Sequence, residues 1–324
     1  MTSDFAITAD AYHGDRDYAD FTATWSVTPD WTLLFGAQTE DETIEAVNFG
    51  APVVGAQEHW GAYVAAQGAL GRLNVTAAVR QDDFDGFGQE TIWRAGAAYP
   101  MGESARIYAS YGTSYRAPSL FERFAPFYGN ATLDPESAET WEIGANARFA
   151  LFGQGDGLEL GALYRSSEIE DLIGFVGFSY GNVDRAEIQY AEARVAMRPT
   201  DWLTARVIYA NTDAVNAATE LALQRRPQEA WSVELAAEHG ALSGQISWRQ
   251  VGSRLDTVYS DLGFWSGVAE VEAYDILRAS AAWAVSEEVK LYIAADNVLD
   301  ETYEPVNGFA GAPANVLVGI RINP

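Results

Sequence analysis

The sequence predicts an all-β protein, a transmembrane antiparallel β-barrel of about 16 strands. Three observations predict it. Apolar and polar residues alternate at period two, connections alternate between short and long, and no apolar run approaches the roughly 18 residues of a membrane-spanning helix. Hydrophobic residues make up 48% of the 324, yet the mean hydropathy is slightly negative, so they are dispersed. A barrel strand needs only about 9–11 residues, every second one apolar, so low hydropathy is compatible with a membrane protein.

The alternation is explicit. In 73–80, Leu73, Val75, Ala77 and Val79 interleave with Asn74, Thr76, Ala78 and Arg80. In 141–149, Trp141, Ile143, Ala145, Ala147 and Phe149 oppose Glu142, Gly144, Asn146 and Arg148. Segment 191–198 repeats the rule, as do 231–235 and 246–249. Strand side chains alternate faces, whereas a helix needs spacings of three and four. Charges such as Glu142, Arg148, Glu192, Arg194 and Arg249 fall mid-strand. Alternation alone leaves open which face is inside. A small soluble barrel puts the apolar face at its centre; a wide membrane barrel turns it to lipid around a wet lumen.

Strands are expected near 4–12, 18–27, 31–40, 58–69, 73–82, 90–99, 105–115, 138–149, 157–168, 173–184, 187–198, 203–212, 230–238, 243–253, 273–284, 289–297 and 315–322. Segment 173–184 also reads as loop, and without it the count is about 16. Short turns fall at 28–30, 69–72, 199–201, 239–241 and 286–288, and long connections at 41–58, 115–137, 213–229, 254–272 and 300–314. Short periplasmic turns opposite long extracellular loops are the outer-membrane pattern, which a soluble sandwich has no reason to copy.

Composition narrows the function. Aromatics are 13%, with 10 Trp, 16 Tyr and 15 Phe. They suit two interfacial girdles and equally a large aromatic core. The net charge is −26 and Lys290 is the only lysine, which argues against nucleic acid as a partner. Acidic loops suit a surface of divalent cations and lipopolysaccharide phosphates, and a halophilic or very soluble protein would be acidic as well. Cysteine is absent, which excludes disulfides, thiolate metal sites and a cysteine nucleophile. The first residues, Met1-Thr2-Ser3-Asp4-Phe5, lack the basic stretch and apolar core of a signal peptide. An exported barrel needs one, so either the barrel reading fails or the chain lacks its true beginning.

Four stretches carry a family resemblance. The first is Tyr111-Gly112-Thr113-Ser114-Tyr115-Arg116-Ala117-Pro118-Ser119-Leu120. The second is Gly129-Asn130-Ala131-Thr132-Leu133-Asp134-Pro135-Glu136-Ser137, followed by Trp141-Glu142-Ile143-Gly144. The third is Asp171-Leu172-Ile173-Gly174-Phe175 with Asn182-Val183-Asp184-Arg185-Ala186. The fourth is Asp296-Asn297-Val298-Leu299-Asp300-Glu301-Thr302-Tyr303. In order and spacing these resemble TonB-dependent outer-membrane receptors over essentially the whole chain. The third and fourth, with Arg225-Arg226-Pro227, look most similar to the vitamin B12 (cobalamin) receptors.

The resemblance implies a 22-stranded barrel in the bacterial outer membrane, filled by an amino-terminal plug that follows a TonB-binding segment. This chain would hold roughly the last sixteen strands, with plug, signal peptide and first strands absent. It implies uptake of a cobalamin-like or iron-chelate nutrient, with TonB acting only through the plug. The chain departs from the family at Tyr190-Ala191-Glu192, where Gly-x-Glu is usual, at Pro313-Ala314-Asn315, where Pro-Gly-Arg is expected, and at Pro324, where an aromatic usually ends the barrel. A passive diffusion pore and a soluble acidic β-barrel binding protein are the alternatives.

Most motif residues read as architectural: Arg116, Ala117, Pro118, Asn130, Leu133, Pro135, Glu136, Glu142, Asn182, Asn297, Leu299, Asp300 and Tyr303. Pro118 and Pro135 fix φ at strand-to-loop transitions, and Asn297 and Asp300 can close a turn. For ligand contact, the loop aromatics Phe121, Phe124, Phe127, Tyr128, Tyr259, Phe264, Trp265 and Phe309 suit a ligand with flat apolar faces and a polar rim. Packing between loops, or anchoring in lipid, explains them equally well. Asp82, Asp83 and Asp85 cluster hard oxygens that could hold calcium, but lack the glutamate of a twelve-residue calcium loop. An exposed acidic turn is the plainer reading. His13, His59 and His239 are placed in a loop, a strand start and a short turn, with no Ser/His pairing, so no enzyme is expected. No resident cofactor is expected beyond that calcium.

Overall fold

The computed structural model describes residues 11–48, 50–176, 178–260 and 265–322. Most of the chain is strand: β1 (Ala11–Thr28), β2 (Trp31–Asn48), β3 (Ala51–Leu70), β4 (Leu73–Phe84), β5 (Gly88–Met101), β6 (Ala105–Arg116), β7 (Glu136–Leu151), β8 (Gln154–Val176), β9 (Ser179–Thr200), β10 (Leu203–Asn216), β11 (Glu229–His239), β12 (Leu242–Val251), β13 (Arg254–Tyr259), β14 (Trp265–Val271), β15 (Tyr274–Ala284), β16 (Val289–Asp296) and β17 (Asn315–Ile322). Among the described residues one short helix, α1 (Leu120–Phe124), interrupts them.

Fifteen strands form one antiparallel sheet in chain order, with β13 and β14 set aside as a separate two-stranded hairpin. β1 and β17 end the sheet, and among the described residues no ladder joins them. The connections are short at one end: 29–30, 71–72, 102–104, 152–153, 201–202 and 240–241. Gly71 and Gly240 supply the left-handed backbone (φ 64° and 59°) that two of these tight turns require. The long segments, 117–135, 217–228, 252–273 and 297–314, all lie at the other end.

Several sequence expectations need correction. Residues 13–17, expected as a gap between two strands, belong to the single strand β1, and the 4–12 expectation lies largely outside the described residues. The expected loop 41–58 is mostly the outer part of the β2–β3 ladder, paired from Asp41–Glu58 to Asn48–Ala51. Segment 173–184 is the tip of the β8–β9 hairpin. The expected loop 254–272 contains β13 and β14, and 115–137 contains α1. In the β2–β3 extension apolar residues such as Ala46 and Val53 point to the lumen side and polar ones such as Asp41, Thr43 and Glu45 point outward, so the pattern of a lipid-facing strand is lost. His13 and His59 consequently sit within β1 and β3.

Register resolves the two faces. Directly paired residues share a face. Phe35, Val64, Val79 and Trp93 form one continuous apolar row across β2–β5. Ala147, Leu160, Val195, Val207, Val233, Trp248 and Leu277 form another from β7 to β15. The opposite face carries rows such as Ser110–Glu142–Arg165–Tyr190–Thr212.

Burial decides which face is outside. Among the described residues only ten hydrophobic residues are buried, and they lie at the loop end. Leu120, Ala125 and Leu133 come from 117–135, and Ala46 and Val53 lie on the polar-face side of β2 and β3. None of Val75, Ile143, Val195 or Trp248 joins that core, and Ile143 is 52% exposed. So small a core cannot offset the ordering of a chain this long in water. The apolar face is therefore the outer, lipid-facing surface, and the polar face lines the lumen.

Aromatics mark the edges of that band. Trp93–Tyr111, Trp141–Tyr164 and Tyr209–Trp231 pair on the outward face with ring centroids 5.4, 5.2 and 4.5 Å apart. The tyrosine hydroxyls donate towards the loop end, to Glu139 (2.5 Å), Gln189 (3.0 Å) and Glu229 (3.1 Å). Trp25, Tyr99, Phe149 and Trp283 stand exposed towards the turn end. Trp141 and Phe149 are eight residues apart on one strand, about 26 Å along it, which at the usual ~40° tilt covers roughly 20 Å of the ~25 Å apolar band of such barrels.

Candidate functional site: the loop end

Three polar knots fix the loops. The first gathers 117–135. Pro118 is fully buried where the chain leaves β6. Ser119 then caps α1: its Oγ accepts from the Glu122 N–H, and the Glu122 carboxylate accepts from the Ser119 N–H at 2.8 Å. Arg116, ending β6, donates to Glu136 at the start of β7 (2.9 and 2.5 Å) and to Glu122 (2.9 Å). Glu136 also accepts from the Ile173 N–H at 2.7 Å, which ties in β8. Burial pushes the Glu122 carboxyl up, but the bonds from Arg116 and Ser119 more than reverse this and hold it below the usual range.

Asparagines extend this knot to the β8–β9 hairpin. The Asn130 side chain donates to the Tyr180 carbonyl (3.2 Å) and accepts from the Thr132 N–H (3.0 Å). Asn182 accepts from the Asp134 N–H (3.0 Å) and donates to the carbonyls of Asp134 (2.9 Å) and Asp171 (2.6 Å). Leu133 packs beneath at 3% exposure. The helix leans onto the lumen side of β2 and β3. The Phe124 ring fills the space over Gly55, where an added Cβ would stand 2.5 Å from it. Phe121 meets Tyr12 and Tyr180 (6.0 and 6.4 Å between centroids).

The second knot centres on Asp256, 0% exposed in β13. Its carboxylate accepts from Arg225 Nε (2.7 Å), the Thr257 N–H (2.8 Å) and the Asn307 N–H (2.9 Å). Asn307 returns a bond to the Thr257 carbonyl (2.9 Å), and Arg254 donates to the carbonyls of Glu304 and Pro305. One carboxylate thus joins 217–228, the β13–β14 hairpin and 297–314.

The third knot is Asn297, 1% exposed and left-handed (φ 49°). Its side chain donates to the carbonyls of Glu301 (2.9 Å) and Ala312 (3.0 Å) and accepts from the Glu301 N–H (2.9 Å). Asp300 (φ 51°) accepts from the Ala314 N–H (3.1 Å). Tyr303 lies over Gly311 and stacks on Tyr274 with centroids 4.6 Å apart. Asn297→Ala is expected to cost about 1–3 kcal/mol, because buried partners lose their bonds. Amide exchange at Glu301 would rise, and unchanged exchange there would refute the assignment.

These knots contain Arg116, Pro118, Asn130, Leu133, Glu136, Asn182, Asn297, Asp300 and Tyr303. Ala117 precedes the buried Pro118, Pro135 precedes Glu136, and Glu142 stands half-buried on the lumen face of β7. Leu299 is exposed at 56%. The loop aromatics divide. Phe121, Phe124 and Tyr128 are committed to packing, Tyr128 against Phe175 at 5.9 Å. Phe127, Trp265 and Phe309 are open to solvent. Phe264 lies outside the described residues, and for Tyr259 only its backbone position opposite Trp265 is described. Sequence reasoning missed Phe178, an exposed hairpin-tip residue edge-on to Trp265 at 6.1 Å. Its only signal was an aromatic inside the ambiguous 173–184.

The acidic run 82–85 does not converge. Asp82 and Asp83 are adjacent in β4, so they point to opposite faces. Asp82 is held in the lumen wall by Arg80 (2.7 Å) and His59 (2.7 Å), while Asp83 accepts from Gln89. Among the described residues no group of three or more acidic or histidine side chains is placed to hold a metal ion. The sequence pattern could not reveal the His59–Asp82–Arg80 cluster, because His59 arrives from a neighbouring strand.

Comparison with known proteins agrees with this geometry. The chain is similar to the ferripyoverdine receptor of the outer membrane of Pseudomonas aeruginosa, with 17% identity over 97% of this chain and 49% of that one and a TM-score of 0.76. It is similar to the copper transporter OprC (17% identity, 97% and 57% coverage, TM-score 0.76). It also resembles the FrpB iron transporter from Neisseria meningitidis (15% identity, 96% and 55% coverage, TM-score 0.74). The chain spans about half the length of these structures. The family described as TonB dependent receptor-like, beta-barrel, matches residues 2–298. An outward apolar band, a charged lumen and one-ended loops on that match place the protein in the bacterial outer membrane, and the chain belongs to the TonB-dependent receptor-like β-barrel family.

Proposed function

We propose that this barrel takes up a metal-chelate nutrient, an iron chelate or a cobalamin-like corrinoid, captured at the loop end. The observation that carries the reading is the set of exposed aromatics Phe127, Phe178, Trp265 and Phe309 above a charged lumen. Flat apolar ligand faces pack on such rings, and the carboxylates and arginines of the wall meet a polar rim. The iron and copper transport named for the similar structures supports metal chelates as the class. The third and fourth motif stretches favour the corrinoid. Energised import through TonB belongs to the same proposal.

The test is fluorescence quenching of the membrane-reconstituted protein by a ferric siderophore, a copper(II) chelate and cobalamin. Saturable quenching by one of them is expected, weakened about tenfold in Trp265→Ala, since a buried aromatic contact contributes about 1.4 kcal/mol. No saturable quenching with any of the three, together with steady single-channel conductance, would replace the receptor by a passive pore.

A further inference from the structure

The outward face carries a trough near its turn end. Directly paired Ala237, Gly244 and Ala281 cross β11, β12 and β15 as a row of small residues. Trp202, Trp283 and Ile293 border them, and the open depression between these side chains measures about 530 Å3. Trp202 stands edge-on to His239 at 5.8 Å, which stiffens the wall nearest the turn.

Continuity identifies the occupant. The trough is a depression in the same outward apolar band that faces acyl chains from β2 to β17, and it opens onto that band. Its turn-end wall holds an indole and an imidazole, rings with an apolar body and a polar edge, which sit at headgroup level. We propose that the trough retains one phospholipid from the turn-side leaflet, one acyl chain lying over Ala237, Gly244 and Ala281. Its headgroup lies at the level of Trp202 and His239. This rests on the lipid-facing assignment of the apolar face and is independent of what the loops bind.

The test is native mass spectrometry of the full chain, extracted into mild detergent from phosphatidylethanolamine vesicles. The wild type is expected to retain one phospholipid. Ala281→Trp, which fills the trough, should lower that occupancy at least tenfold. Ala95→Trp, at an exposed outward alanine on β5 with no such depression, should leave it unchanged. Equal retention in all three proteins overturns the proposal in favour of ordinary annular lipid. A wild-type dimer that Ala281→Trp dissociates overturns it in favour of a second copy. Failure of the wild type to partition into vesicles overturns the lipid-facing assignment and the trough with it, whereas loss of chelate binding alone leaves both standing.

Discussion

Leu160→Arg is expected to destabilise the protein in a bilayer by about 2–4 kcal/mol, the usual cost of a cation on the lipid face of a barrel near the midplane. Leu160 lies in the outward row between Ala147 and Val195, four residues below the girdle tyrosine Tyr164. It is 40% exposed, a position at which a water-soluble sheet would accept arginine with a change within about 0.5 kcal/mol. The two outcomes are well separated. Denaturant titration of folding into phospholipid vesicles measures the difference, with Arg194→Gln on the lumen face as the comparison. Arg194 meets Asn146 at 3.1 Å beside solvent, so its loss should cost under about 1 kcal/mol. A smaller penalty for Leu160→Arg than for Arg194→Gln would reverse the assignment of inside and outside.

Asp256→Ala should loosen three loops at once. The carboxylate is fully buried, and its removal leaves two backbone N–H groups without acceptors and Arg225 without its partner. Arg225 is half-exposed and water recovers part of the loss, so about 2–3 kcal/mol of local stability is expected to go. Hydrogen exchange would show this as a simultaneous rise in 224–228, 255–258 and 305–308, with the 117–135 knot unaffected. A rise confined to β13 would mean that the three segments are not coupled through this residue.

The same residue gives a pH dependence. Burial pushes the Asp256 carboxyl up, but the bonds from the Asn307 N–H, Arg225 and the Thr257 N–H outweigh it, so its pKa is lowered from 3.8. A carboxyl with a depressed folded pKa contributes stability that is present above its unfolded value and lost as pH falls through its folded value. Loop protection is therefore expected to hold from neutral pH down to about pH 4 and to fall below it. Asp256→Asn should abolish that dependence.

Period-two alternation specified the strands that cross the membrane, because one face must be apolar over the whole thickness of the bilayer and the other must tolerate water. Short turns were legible for a similar reason: Gly71 and Gly240 sit where the backbone turns left-handed. The motif asparagines Asn130, Asn182 and Asn297 spend their side-chain polar atoms on backbone groups.

The sequence by itself therefore determined the wall of the barrel, its two chemically distinct faces and the end that carries the loops. All three follow from local periodicity and turn chemistry. Only the tertiary structure decided what the loops do. β13 and β14 pair with each other apart from the sheet, and α1 folds back onto the lumen side of β2 and β3. Asp256 joins segments about 30 and 50 residues away in sequence. Such contacts depend on which strands become neighbours. No pattern within a single segment encodes that, so Phe178 meeting Trp265 and His59 meeting Asp82 emerge only when the sheet is assembled.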